Sequence, residues 1–360
     1  MVWILLCLQV KEETDNTLET VLKTTVWQLI DTSTVGGIET HVLHLSRSLQ
    51  QYDIANQVVQ VKRYGKHPVF DAVDNSDITM IHCNGIKDVI VRCLQYQPNV
   101  IHAHGAKACL IAKLLRVVSL QTVVCTYHTG ETGVGLQGIY DRLNQWTAFI
   151  GQSIAVSDLI ARKLKGACQR IDNFIPMPSR TLSRVNGVSY AFVGRLSHEK
   201  GPDRFVEIAK YHPQSSFSIF GQGPMLAAIK PELPSNVTLY TNVNCMNNYW
   251  IGIELLCITS REEGLPLVAI EAMARGICVV AFPVGGLPSL IQHNVNGFLL
   301  TSQSVVEFSD FIQHFKSLTT ADKNRIGLNA RNTIFNQYST DAIVPQIVAT
   351  YRDAEMEYAQ

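Results

Sequence analysis

Apolar residues along this chain fall into short runs separated by amphipathic stretches. Strand-like runs occur at Thr25–Asp31, Ile54–Val61, Ile78–His82, Val100–His104, Thr122–Tyr127 and Ser153–Val156. Helical periodicity appears at Gly37–Leu49, Lys107–Val117, Leu136–Phe149 and Ser157–Leu164. A second series of strands runs through Tyr190–Val193, Ser216–Phe220, Val237–Tyr240, Ile253–Ile258, Ile277–Ala281 and Phe298–Leu300. Helical segments at Asp203–Tyr211, Pro224–Ile229, Leu267–Arg275 and Leu287–Gln292 fall between these strands. Strand, helix, strand in repetition predicts a parallel sheet covered on both faces. Two such series predict two Rossmann-like, doubly wound α/β domains.

A stretch rich in proline and polar residues, Pro176 to Gly187, separates the halves as a linker would. The expected division is an appendage at 1–24, a first domain at 25–180, a second at 187–338 and a terminal helix at 339–360 that returns to the first domain. The apolar start, Met1–Val10, is too short for a bilayer span of ~20 residues and has no basic lead-in. The 360 residues carry zero formal net charge, so no whole-chain field favours nucleic acid. Nine cysteines contain no CxxC pair and mostly fall in apolar patterns, as free thiols do in a reducing, cytoplasmic compartment.

In open parallel sheets, ligands sit beyond the carboxyl ends of the strands. After the first strand, Gly36 and Gly37 open a helix where a phosphate could approach the backbone. His102, His104 and His128 end or follow strands, with Lys107 just behind; all face the expected cleft. His102 and His104 share a strand face, but no Cys or carboxylate completes a ligand set, so no metal is expected. The Asp71, Asp74, Asp77 group lacks the tight D-x-D spacing of a metal-bound diphosphate and reads as a solvated loop.

In the second half, Gly194 ends a strand, and Arg195 and Lys200 flank the turn that follows. A planar fork and a point charge together suit a diphosphate. Gly221 and Gly223 repeat the glycine-rich pattern one strand later. The most informative stretch is Ser260 to Gly276, where Glu263 and Glu271 bracket a helix start formed by Gly264, Leu265, Pro266, Leu267 and Val268. Unpaired amides there attract an anion, and carboxylates there accept sugar hydroxyls.

These residues resemble the retaining glycosyltransferases of family 4, the group-1 glycosyl transferases of GT-B fold, over nearly all of residues 25–345. The E-x7-E element from Glu263 to Glu271 carries most of the likeness, followed by Phe192–Gly201, Pro283–Pro288 and Asn296–Phe298. The resemblance implies that Arg195 and Lys200 hold the donor diphosphate and that Glu271 takes the ribose hydroxyls. It also implies that Glu263 and the amides after Gly264 hold the sugar, and that His128 lies beside it.

The implied reaction moves a sugar from a nucleotide-diphosphate sugar to a saccharide or lipid-linked acceptor, with retention and without cofactor or metal. Bacterial surface polysaccharide or glycolipid synthesis is the implied setting. His104 and Lys107 are the acceptor-side candidates. Basic residues Lys107, Lys113, Arg116, Arg162, Lys163 and Lys165 suggest contact with the inner membrane face. A sugar-nucleotide epimerase on the same fold and a non-catalytic two-lobed sugar-binding protein are the alternatives. Two departures from the family are Asn242, where many members have glycine, and Gln222, where an acidic residue is common.

Overall fold

The computed structural model describes residues 24–32, 37–64, 78–119, 121–128, 135–178, 189–243 and 245–359. The appendage, Gly36, the Asp71–Asp77 group and most of the linker lie outside the described residues.

The first sheet consists of β1 (Thr25–Ile30), β2 (Ala55–Gln60), β3 (Thr79–His82), β4 (Val100–His104), β5 (Thr122–Tyr127), β6 (Gln152–Ala155) and β7 (Gln169–Arg170). All pairings are parallel, in the order β3-β2-β1-β4-β5-β6-β7. The second sheet consists of β8 (Ser189–Val193), β9 (Ser216–Phe220), β10 (Val237–Tyr240), β11 (Ile253–Ile258), β12 (Cys278–Ala281) and β13 (Phe298–Leu299). Its order is β10-β9-β8-β11-β12-β13, again parallel throughout. Chain direction across each sheet reverses beside its first strand, between β1 and β4 and between β8 and β11. Loops diverge there and leave a crevice at the strand ends.

Central strands buried on both faces explain the near-continuous apolar runs. All five residues of β4, Val-Ile-His-Ala-His, are buried. Ile101 and Ala103 face the large core under helix Ala106–Ser119, while Val100 packs on the opposite side. Alternation along a strand therefore puts His102 and His104 on the side of Val100.

That side is covered by helix Gly37–Leu49 and by helix Thr340–Ala359. Ile343, Val344, Ile347, Val348, Tyr351 and Ala354 form one stripe of the latter, buried against Val26, Val124, Ile154 and Phe174. The chain reaches that position through Ile175, whose N–H donates to the Tyr338 carbonyl at 3.1 Å and whose carbonyl accepts from the Thr340 N–H at 3.2 Å. The terminal helix thus packs on the first sheet.

Several elements differ from the sequence expectation, among them strand β7, which was not anticipated. Helix Ile86–Tyr96 was not anticipated; it starts at Gly85, which has φ 104°. The helix expected at Ser157–Leu164 covers only Asp158–Ala161, capped by the Ser157 hydroxyl accepting from the Ile160 N–H at 3.4 Å. The helix expected from Pro224 begins at Leu226.

Candidate active site

Glu263 anchors the site in the second domain. It is 4% exposed, yet both carboxylate oxygens are matched: Lys200 Nζ lies 2.7 Å from Oε2 and the Ser260 hydroxyl donates to Oε1 at 2.7 Å. The two loops that carry these residues are sewn together elsewhere. The Arg261 N–H donates to the Glu199 carbonyl at 2.7 Å, and the Thr259 hydroxyl donates to the Gly201 carbonyl at 2.8 Å. Arg261 forks onto Asp203 and holds that carboxyl below its ordinary range. Lys200 and Glu263, assigned separately to phosphate and sugar, are thus one ion pair. Arg195 precedes them as an exposed residue.

Gly201 has φ 65°, and a Cβ there would sit 2.3 Å from the Thr259 carbonyl. Only glycine fits this approach of the two loops. Gly221 and Gly223 have a comparable structural role. A side chain at either would strike the backbone oxygen of Gly194 (1.9 Å) or Leu196 (2.4 Å). Their smallness lets the loop after β9 pack on the loop after β8, a requirement that needs no ligand.

The departures Gln222 and Asn242 belong together, because the Gln222 side-chain amide donates to Asn242 Oδ1. Asn242 has φ 61°, the left-handed region that glycine adopts freely and that asparagine tolerates better than most other residues.

Helix Leu267–Ala274 starts at Pro266, and its first local bond is Ala269 N–H to the Pro266 carbonyl at 3.1 Å. The amides of Leu267 and Val268 precede that bond, as the leading N–H groups of any helix do. Glu271 lies one turn further on the same face as Leu267. Burial raises its carboxyl pKa above the ordinary range, and the Arg275 charge only partly offsets this. Arg275 spends its guanidinium on the Glu271 backbone carbonyl and on Asn247 Oδ1, each at 2.9 Å, and lies over the Trp250 ring. A half-buried carboxylate is thereby left needing hydrogen-bond donors.

The first domain meets this helix start directly. Leu267 Cδ1 lies 3.7 Å from the position a Gly37 Cβ would take. A Cβ on Gly264 would lie 2.4 Å from the His128 carbonyl oxygen, so Gly264 allows the contact between lobes. Asn173 Nδ2 donates to the Leu265 carbonyl at 2.7 Å across the same junction. Gly37, His128, Gly264, Leu265 and Leu267 are thus brought together. Lys107 pairs with Asp31 at the end of β1 and donates to the Tyr64 hydroxyl at 3.2 Å.

Beneath His128 lies a row of imidazoles. His128 Nε2 and His104 Nδ1 are 3.1 Å apart, and His104 Nε2 is 2.7 Å from Gln28 Oε1. His102 is fully engaged, with Nδ1 2.7 Å from the Tyr351 hydroxyl and Nε2 2.7 Å from the Thr126 hydroxyl. The metal pair considered at His102 and His104 is therefore not formed. His41, from helix Gly37–Leu49, completes the row and is 2% exposed. Burial lowers all their pKa values: His102 to about 3, His128 to about 4, and His41 and His104 well below the ordinary range.

Sequence reasoning missed His41, Gln28, Asn173, Asp31, Ser260 and Asp203. Asp31 was legible by the rule that found His104, since it follows the last residue of a central strand. His41 carried no local signal, because a helical histidine reads as a face residue.

The architecture matches solved structures of low sequence identity. One is Anabaena Alr3699/HepE, solved with UDP and glucose, at TM-score 0.79 and 18% identity over 90% of this chain and 98% of that one. Another is the sucrose-phosphate synthase of Thermosynechococcus elongatus, at TM-score 0.77 and 16% identity over 92% of this chain and 99% of that one. This chain has the GT-B fold.

Within that GT-B frame, residues 180–333 match the family model of glycosyl transferases group 1. A glycosyltransferase of Haemophilus influenzae is 30% identical over 141 residues, 36% of this chain and 40% of the relative. The D-inositol 3-phosphate glycosyltransferase of Mycobacterium leprae is 30% identical over 183 residues, 47% of this chain and 42% of the relative. The chain thus spans less than half the length of these relatives in alignment.

The neutral histidines of this GT-B chain fix its response to acid. His44, half-buried on the same helix as His41, has its pKa lowered to about 4 from 6.5, chiefly by desolvation. Because each folded-state pKa is depressed, the unfolded chain binds these protons first. Stability should be complete above pH ~6.5 and decline as pH falls toward the folded values. Each tenfold difference in proton affinity between the unfolded and folded chain is worth about 1.4 kcal/mol. Urea midpoints should be level from pH 7 to 8 and drop between pH 6.5 and 4.5. The His44→Gln variant should show the shallower drop.

Proposed function

We propose that this chain is a glycosyltransferase that moves a sugar from a nucleotide-diphosphate sugar to a hydroxyl acceptor with retention of configuration. What carries the reading is the assembly of Lys200, Glu263, the leading amides of helix Leu267–Ala274 and the desolvated Glu271 around one helix start. That helix start lies inside the matched group-1 segment. The donor diphosphate would lie on the Leu267 and Val268 amides, with Arg195 and Lys200 as its counter-charges. Glu271 would accept both ribose hydroxyls, and Glu263 would accept a hydroxyl of the sugar while aiming Lys200.

In the reaction, the bond between the anomeric carbon and the diphosphate oxygen breaks and its electron pair stays on that oxygen. The acceptor oxygen bonds to the same face, and its proton passes to the departing phosphate oxygen. Counter-charges and amides fixed in advance stabilise the charge that builds on the diphosphate, an effect worth several kcal/mol. No cofactor is required. An epimerase would convert the free sugar nucleotide without an acceptor; this reading requires release of nucleotide diphosphate, and only when acceptor is present.

Variants separate the roles. Glu271→Ala should weaken binding of the free nucleoside diphosphate by about 30- to 1,000-fold, from loss of two hydrogen bonds to a carboxylate. Glu263→Ala should retain that binding and lose turnover. Calorimetric titration with the nucleotide product decides; exchanged outcomes would exchange the two assignments. Turnover should also persist in EDTA, because the counter-charges to the diphosphate are side chains. Loss in EDTA that magnesium or manganese restores would reject this part of the reading.

The acceptor side favours a membrane-bound substrate. Lys113 does not serve this purpose as expected: it is buried and donates to Asn144 Oδ1 at 2.6 Å and the Tyr127 hydroxyl at 3.0 Å. Lys107 is likewise engaged by Asp31. Instead, Val117 and Val118 of helix Ala106–Ser119 and Ile139, Leu143 and Trp146 of the adjoining helix Leu136–Trp146 are exposed, with Trp146 at 62%. Phe149 adds to this face and packs on the turn at Gly166, which follows exposed Lys165. Arg142, Arg162 and Lys163 are exposed as well.

Aromatic tips beside cations suit an anionic interface. The chain should co-sediment with phosphatidylglycerol vesicles and blue-shift its tryptophan emission there. The Trp146→Glu, Phe149→Glu double variant should lose at least tenfold in vesicle affinity. Equal sedimentation of both proteins would remove the membrane contact from the reading.

A further inference from the structure

Beside the cleft, three imidazoles from three separate elements converge. His41 comes from helix Gly37–Leu49, His104 ends β4 and His128 follows β5. One ring nitrogen from each lies within 4.8 Å of the other two. His104 Nδ1 and His128 Nε2 are already 3.1 Å apart, and the His41 ring centroid is 4.7 Å from that of His128.

The hydrogen-bond network leaves this cluster unfinished in a specific way. Gln28 Nε2 donates to the Tyr351 hydroxyl at 3.2 Å, so its Oε1 faces His104 and accepts the proton on His104 Nε2. His104 Nδ1 therefore presents a lone pair into the cluster, and it takes the proton of His128 Nε2. His128 Nδ1 is then the bare nitrogen. The Asn173 side chain lies beside His128. Asn173 uses its Nδ2 on the Leu265 carbonyl, and its Oδ1 has no partner among the described residues. Both nitrogens of His41 also lack a partner there, although the residue is only 2% exposed. Unpaired buried polar groups of this kind call for an explanation.

We propose that His41, His104 and His128 form a binding site for a borderline transition-metal ion such as Zn2+, and that the bound ion inhibits the enzyme. With the ion in place, His104 Nδ1 and one His41 nitrogen give their lone pairs to it. The His128 proton moves from Nε2 to Nδ1, where Asn173 Oδ1 accepts it, and Nε2 becomes the third ligand. Asn173 Oδ1 and one of the two His41 nitrogens then acquire partners. Gln28 and Asn173 act as the outer acceptors that orient metal-bound histidines.

Three neutral nitrogens with no carboxylate select zinc, copper, nickel or cobalt and discriminate against magnesium, calcium and manganese. Zn–N bonds of about 2.0–2.1 Å require ligand nitrogens about 3.3 Å apart. The His104–His128 pair meets that spacing, and His41 must close in. A fourth position would be left open, and the half-buried His128 gives the ion a route in from the cleft.

The inhibitory part rests on the proposed placement of His128 beside the donor sugar; the binding part does not. This site is distinct from a diphosphate-bound cation, so activity in EDTA and inhibition by Zn2+ are compatible.

The test is titration of the full chain with Co2+ and Zn2+. Expected are visible d–d bands of four-coordinate Co2+ without the near-ultraviolet band of thiolate ligation, and one Zn2+ per chain by calorimetry. The His41→Gln variant, with fold checked by circular dichroism, should bind Zn2+ at least 100-fold more weakly. Absence of the Co2+ bands in the unaltered protein, or unchanged Zn2+ affinity in His41→Gln, would overturn the site, and the first of these needs no variant to fold. Micromolar Zn2+ should suppress sugar transfer by the unaltered chain and spare His41→Gln. Zn2+ bound at the site with transfer unaffected would overturn the inhibition and the placement of His128, and would leave the metal site standing.

Discussion

A carboxylate removed from water must have its charge met where it stands, and Glu263 imposes that condition on the whole candidate site. Its partners come from two loops: Lys200 from the turn after β8 and Ser260 from the end of β11. Once those two loops are fixed, Gly201 must be glycine, Arg261 must fork onto Asp203, and the helix at Leu267 must start where it does. Truncating either member of such a pair strands the other. The arrangement therefore specifies geometry more than it adds stability. It brings a cation from one loop to a carboxylate that stands just before the leading amides of a helix.

The first lobe answers with the opposite strategy. Where the second lobe holds paired charge, the first holds neutral imidazoles between packed helices and a sheet. Their protons are placed by a chain that runs from Tyr351 through Gln28 to His104 and His128. Desolvation keeps these rings uncharged, so half-buried His128 is a hydrogen-bonding group without net charge. The two lobes touch at Gly264 against the His128 carbonyl, with the Asn173 side chain bonded to the Leu265 carbonyl beside it.

Much of this was readable from pattern alone, for physical reasons. Buried strands leave largely apolar runs, so β4, β5, β9 and β11 matched their predicted ranges; the edge strand β10 matched as well, although it is only partly buried. Helix Ile86–Tyr96 was missed because Val91, Leu94 and Tyr96 are exposed and blur its apolar stripe. Lys113 was misread because a lysine in a helix normally seeks water, whereas here four oxygens of Tyr127, Asn144 and Thr147 meet it. Glycines gave an ambiguous signal: at Gly221 and Gly223 backbone crowding explains the residue type fully. Long-range partners such as His41 and Asn173 left no trace in local sequence, because they acquire their roles only when distant elements pack.

The helix at Thr340–Ala359 has a consequence for how the molecule is made. It supplies one wall of the first domain's core, yet it is synthesised after the entire second domain. Val26, Val100, Val124 and Phe174 have no cover from that wall until it arrives. On the ribosome, the second domain can complete its own sheet while the first still exposes an apolar face. The order of folding is thereby inverted relative to the order of translation. Until residues 340–359 are made, that apolar strand face is open surface of the kind that favours aggregation.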